Sequence, residues 1–83
     1  MKNLARTPKD IGHAIRQARK AKKLTQKALA ERSGVWQETI SKVENGLPGT
    51  KLETVFDIFA ALDIEIVVQG RSKGSTESFE DIF

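Results

Sequence analysis

The sequence predicts a mainly α-helical fold of four to five short helices, closed by one C-terminal β-strand. Three observations predict it. Apolar residues recur at three- and four-residue steps along most of the chain, and residues that start and stop helices punctuate those stretches. The apolar period then changes once, near Ile64, to the alternation of a strand. With 83 residues the chain has room for one thin core, and domains of this size often gain stability by self-association.

The first helix is expected to begin at Thr7-Pro8-Lys9-Asp10, which supplies a capping hydroxyl, a proline in the first helical position and a carboxylate in the first turn. Ile11, Ala14, Ile15 and Ala18 form its apolar stripe. A second helix starts at the Thr25 cap, turns Ala28, Leu29 and Ala30 inward and stops at Ser33-Gly34. A third runs from Trp36 to Glu44 on Ile40 and Val43, with Val35 leading in and Asn45-Gly46 closing it. Thr50-Lys51-Leu52-Glu53 reads as a capping box for a fourth helix, whose inward face carries Leu52, Val55, Phe56, Phe59 and Leu62.

Ile64-Glu65-Ile66-Val67-Val68-Gln69 reads as one strand ended by Gly70. One strand leaves its backbone groups unpaired, so two readings stand. Either it pairs with its own copy in a two-fold dimer through Ile64, Ile66, Val67 and Val68, or it crosses the helices as irregular chain. Residues 1–70 are thus one domain. Residues 71–83 are a polar, glycine- and serine-containing tail that ends in Phe79-Glu80-Asp81-Ile82-Phe83 and is expected to be mobile in the free protein.

Composition excludes several classes of function. There is no cysteine, so disulfides, thiol nucleophiles and thiolate metal sites are out, and a single histidine, His13, is too few for a zinc site. His13 has no Ser/Asp constellation around it in the sequence and no glycine-rich phosphate loop is present, so neither an enzyme nor a cofactor is expected. No apolar run suits a signal peptide or a membrane span, so a cytoplasmic protein without a membrane partner is expected. The net charge of +3 is unevenly placed. Residues 1–50 carry eleven Lys or Arg against four Asp or Glu, and residues 51–83 carry three against seven. The first part thus holds +7 and the second −4, which suggests a polyanion for one and a different surface for the other.

The segment from Leu24 to Gly46 resembles the helix-turn-helix of the Cro and phage-repressor family, often called the XRE family. The resemblance rests on Gln26 opening the first motif helix, Ala30 at the helix crossing and Gly34 in the turn, then on Ile40 and Val43 as anchors and the closing Glu44-Asn45-Gly46. Arg19 stands where that family places an arginine paired with the glutamate at Glu44. What this implies is a lambda-repressor-like fold whose third helix lies in the major groove of an operator. Trp36, Gln37, Glu38, Ser41 and Lys42 are then left for the outer surface. Gln37 suits an adenine edge, Lys42 a guanine or a phosphate, and Ser41 either base type. Thr25, Gln26 and Asn45 sit at helix ends, where phosphate can be gripped.

Two residues depart from the family pattern. Trp36 replaces the usual capping serine or threonine, and it either contacts DNA or folds into an interface. Glu38 puts an acid on a face meant for a polyanion, to accept from a cytosine amino group or to select against wrong sequences. Beyond the motif, the fourth helix running directly into Leu62-Asp63-Ile64-Glu65-Ile66-Val67-Val68 resembles HipB-like antitoxins. That resemblance implies a homodimeric repressor that binds a palindromic double-stranded operator, autoregulates its operon and holds a HipA-like kinase toxin. Phe79, Ile82 and Phe83 are then possible partner contacts. The alternatives are a stand-alone XRE-type regulator without a toxin and an interaction module that has lost DNA binding.

Overall fold

The computed structural model describes residues 3–71, so the expected tail, with Phe79, Ile82 and Phe83, lies outside the described residues from position 72 on. Among the described residues there are four helices: α1 (Pro8–Ala21), α2 (Gln26–Ser33), α3 (Gln37–Glu44) and α4 (Leu52–Ala61). None is long and apolar enough to cross a membrane.

Local chemistry accounts for most of the boundaries. Thr7 caps α1 by accepting from the Asp10 N–H at 3.2 Å, and the Asp10 carboxylate accepts from the Arg6 N–H at 2.8 Å. Thr25 caps α2 in the same way, accepting from Ala28 N–H at 3.0 Å. Gly34 ends α2 in the left-handed region, at φ 77°, and its N–H donates to Ala30. α1, α3 and α4 all close with the same paired exit bonds. Lys23 and Leu24 donate back to Lys20 and Arg19, Gly46 and Leu47 to Val43 and Lys42, and Asp63 and Ile64 to Ala60 and Phe59. Three of the four described exits are thus satisfied by the same backbone pattern, although only one of the three left-handed residues is a glycine.

The expected capping box at Thr50 does not form. The helix opens one residue later, with Lys51 in the extended cap conformation and no side-chain cap bond. Glu53 then occupies the second helical position instead of the third, too early to reach back as a capping box requires.

The core consists of Ile15 and Ala18 from α1, Leu29 from α2, Val35 from the turn, Ile40 and Val43 from α3, and Ile58, Phe59 and Leu62 at the end of α4. α3 packs on both α1 and α2, and α2 packs on α4. α1 and the end of α3 come into close contact at Gly12. A Cβ there would be driven into the Val43 carbonyl oxygen and would lie 3.1 Å from Glu44 Cα. This crossing fixes where α3 sits.

α4 differs from expectation. Ile58 is fully buried, whereas Leu52 and Phe56 point outward, Leu52 being 67% exposed. The apolar stripe of α4 is wider than one chain's core, so the part nearest its N-terminus is left uncovered. Residues 64–71 carry neither helix nor strand, so the expected strand is not seen in the single chain. A strand is defined by its ladder, and one chain with a single such segment offers no second edge. Ile64 packs against the core, while Ile66, Val67 and Val68 are exposed.

Candidate nucleic-acid interface

The site is built around α3, whose two sides are held in very different surroundings. On the inner side Ile40 is fully buried and Val43 nearly so. At its C-terminal end the Glu44 carboxylate lies under the surface and receives a fork from Arg19, with Nε at 2.7 Å from Oε2 and Nη2 at 2.9 Å from Oε1. The third nitrogen of the Arg19 guanidinium donates to the Leu24 carbonyl at 2.9 Å, which ties the turn before α2 into the same knot. Gln26 adds a bond from its amide nitrogen to Glu44 Oε1 at 3.1 Å, and Arg16 lies 3.9 Å from the same oxygen. Burial pushes the Glu44 carboxyl up, but the hydrogen bonds from Arg19 and Gln26 and the nearby positive charges outweigh it and hold the pKa below its ordinary value. Arg19 is raised chiefly by the same hydrogen bond, against the cost of its own burial.

One knot thus joins α1, the α1–α2 turn, the start of α2 and the end of α3. A bidentate arginine–carboxylate pair is rigid as well as strong, so it sets the angle at which α3 leaves the body. The expectation that Arg19 and Glu44 form a structural pair agrees with this geometry.

The outer side of α3 is the opposite. Trp36, Gln37, Glu38 and Lys42 are exposed and Ser41 is half-buried. Gln37, Glu38 and Lys42 make no ion pair or side-chain hydrogen bond with other described residues. Trp36 occupies the cap position in extended conformation without a side-chain cap bond, as expected of an indole. Gln26, Trp36, Gln37, Glu38 and Ser41 together line a shallow concavity of about 420 Å³.

The helix-end residues are less free than the sequence suggests. The Thr25 hydroxyl already accepts the cap bond, and one of the two Gln26 amide N–H groups is committed to Glu44, leaving the other N–H and the oxygen. The Asn45 N–H donates to the Ser41 carbonyl, so only its side chain remains for an outside group. Gly12 was not singled out in the sequence. The available signal was a glycine inside an otherwise regular helix, which is costly unless something needs the space.

A second concavity lies apart from the first. It is an apolar groove of about 240 Å³ whose lining includes Ile11, Val43, Leu47, Leu52, Val55 and Ile66. It shares no residue with the α3 concavity.

A family model described as a helix-turn-helix matches residues 15–69, from within α1 to past α4. The chain belongs to the helix-turn-helix family of the XRE type. Its members are DNA-binding transcriptional regulators, and the fold here is theirs. An uncharacterised helix-turn-helix transcriptional regulator of Sinorhizobium fredii is 41% identical over 58 residues, but the chain spans only 30% of that protein's length. Antitoxin HipB of Escherichia coli K12 is 32% identical over 74 residues, covering 89% of this chain and 84% of HipB. The structure of a HipA–HipB–O2–O3 complex superimposes with a TM-score of 0.76 at 29% identity, covering 83% of this chain and 97% of the matched chain.

Proposed function

We propose that this chain is a sequence-specific repressor that acts as the antitoxin of a toxin–antitoxin operon. On this reading it binds a palindromic operator of that operon as a homodimer and holds a HipA-like kinase toxin. The observation that carries the reading is the division of α3: an inner side locked by Gly12, Ile40, Val43 and the Arg19–Glu44 fork, and an outer side of unengaged polar groups. A helix that is rigidly placed and outwardly unsatisfied is what base readout needs.

In this reading Gln37 makes a direct base contact and Lys42 contacts a guanine or a phosphate, with Trp36, Glu38 and Ser41 beside them. Thr25, Gln26 and Asn45 position phosphates, Gln26 from a seat fixed by Glu44. Residues 1–70 form the DNA-binding and dimerisation unit, and residues 71–83 the tail. Two features support the dimer: Val67 and Val68 are strongly exposed, Val68 at 92%, and Leu47, Leu52 and Phe56 are left uncovered as well. Ile66, Val67 and Val68 are the dimer residues in this reading, with Ile64 anchoring the segment to its own core. The toxin rests on the likeness to HipB over most of its length and on HipB having been solved together with HipA. Phe79, Ile82 and Phe83 are the tail positions available to it.

The test has two arms. Titration of a duplex from upstream of the chain's own gene should give an affinity that falls steeply and log-linearly with salt, since phosphate contacts release counterions. Co-expression with a kinase encoded beside it should yield a stable complex. Salt-independent DNA binding sinks the first arm, and a neighbouring kinase that never co-purifies sinks the second. The likeness to the Sinorhizobium fredii regulator favours a second reading, a stand-alone regulator, which keeps the first arm and loses the second.

A further inference from the structure

Trp36 is 77% exposed on a surface whose other members are polar, and it is the single tryptophan of the chain. The fold does not explain it. It gives no cap bond to α3, it lies outside the core, and it is absent from the apolar groove of Leu47, Leu52 and Ile66. It forms part of the α3 concavity instead, together with Gln26, Gln37, Glu38 and Ser41. An indole held in water at the cap position of a helix brings a large apolar area to whatever docks there.

Glu38 narrows what docks. It has no cationic partner among the described residues, so phosphate is disfavoured directly beside its carboxylate. A polyanion approaching α3 therefore turns base edges, rather than backbone, toward Glu38 and Trp36. The major groove presents one apolar group, the 5-methyl of thymine, and an apolar side chain is the partner it takes. Gln26 is pinned by Glu44 and so forms a fixed polar part of the lining, which leaves the indole to select for that methyl.

We propose that Trp36 is a specificity-determining residue that reads a thymine methyl group. The proposal rests on the DNA-binding reading above, and it assigns an apolar contact where the family pattern has a capping hydroxyl.

The test uses the full chain and the tightest duplex selected from a randomised library. Each thymine is replaced in turn by uracil, which removes only the methyl. One such replacement should weaken wild-type binding by about fourfold, the equivalent of burying one carbon group. In Trp36→Ala the same replacement should have no effect, and Trp36→Phe should restore part of the discrimination. Because Trp36 is exposed, the alanine variant should melt with the wild type, which is checked by thermal denaturation.

Intrinsic fluorescence reports this one position directly, so acrylamide quenching should be strong in the free protein and suppressed by the duplex. Uracil replacements without effect on the wild type overturn the proposal, as does an undiminished loss in Trp36→Ala. Protection from quencher before DNA is added overturns it too, by placing the indole in an interface between copies. In each of these cases salt-dependent duplex binding persists, so the DNA-binding reading stands. If the wild type retains no duplex in the selection, both fall together.

Discussion

The two ends of α3, a helix of eight residues, obey different rules. At the C-terminal end each polar group of Glu44 is engaged, by Arg19, Gln26 and the nearby Arg16, beneath a surface that excludes water. At the N-terminal end Trp36, Gln37 and Glu38 are exposed, and the cap makes no side-chain bond. The difference separates two tasks within one helix. One end spends its interactions on position and the other keeps them free for a partner. If that division is right, substitutions at the two ends should affect different measurements.

The largest effect is expected from Glu44→Ala. It strips a buried guanidinium of its carboxylate and releases Gln26, and breaking a buried pair on one side costs about 3–5 kcal/mol. A domain of this size has a total stability on the order of 5–10 kcal/mol, so chemical denaturation should show most of it gone. A loss below about 1 kcal/mol would mean that the knot is ornamental and that α3 is held by apolar packing alone.

Gly12→Ala comes next, and its sign is the informative part. At an exposed helical site this change gains up to about 1 kcal/mol. Here the added carbon meets the backbone of Val43 and Glu44, which cannot rotate away, so a loss of about 1–3 kcal/mol is expected in thermal or urea unfolding. A stabilised variant would show that α1 and α3 are not in this close contact.

The contrast between these two predictions shows what was legible in the sequence. Helix starts at Thr7 and Thr25 were readable because capping is local: a hydroxyl and an N–H three residues on. The pair Arg19–Glu44 was readable only through family resemblance, since 25 residues separate the partners. Gly12 was missed because its reason lies on another helix. Thr50 was misread because a capping pattern is a local preference only, and the chain opens α4 at Leu52 with Lys51 in the cap position and no side-chain cap bond. Leu52 and Phe56 were assigned to the core because periodicity reports an apolar face without saying whose atoms cover it. The outer residues of α3 were legible by elimination, once Ile40 and Val43 were placed inside.

A smaller effect is expected from pH. The Glu44 pKa lies below its ordinary value of 4.5 in the folded chain, so the unfolded chain binds that proton more readily. Its contribution is therefore fully present above the ordinary carboxylate range and is lost as pH falls through the lowered folded value. Asp10, also lowered, by the Arg6 N–H first, acts in the same direction at an exposed site. Unfolding free energy measured from pH 6 downward should fall for the wild type, and the fall should be shallower in Glu44→Gln. Equal slopes would place the acid sensitivity elsewhere.

The smallest stability effect belongs to the other end of the helix, and its smallness is the point. Gln37→Ala and Lys42→Ala remove exposed side chains that make no ion pair or side-chain hydrogen bond with other described residues, so their unfolding free energies should stay within about 0.5 kcal/mol of the wild type. Against the selected duplex, Gln37→Ala should lose about 1–3 kcal/mol of discrimination at one base position and be nearly indifferent elsewhere. Lys42→Ala has two outcomes that tell its partner apart. A guanine contact gives a position-specific loss, whereas a phosphate contact weakens all duplexes alike and lowers the salt slope by about 1. Should either variant unfold readily while binding DNA as before, the two ends of α3 would not be divided as the geometry has them, and the reading surface would have to lie elsewhere.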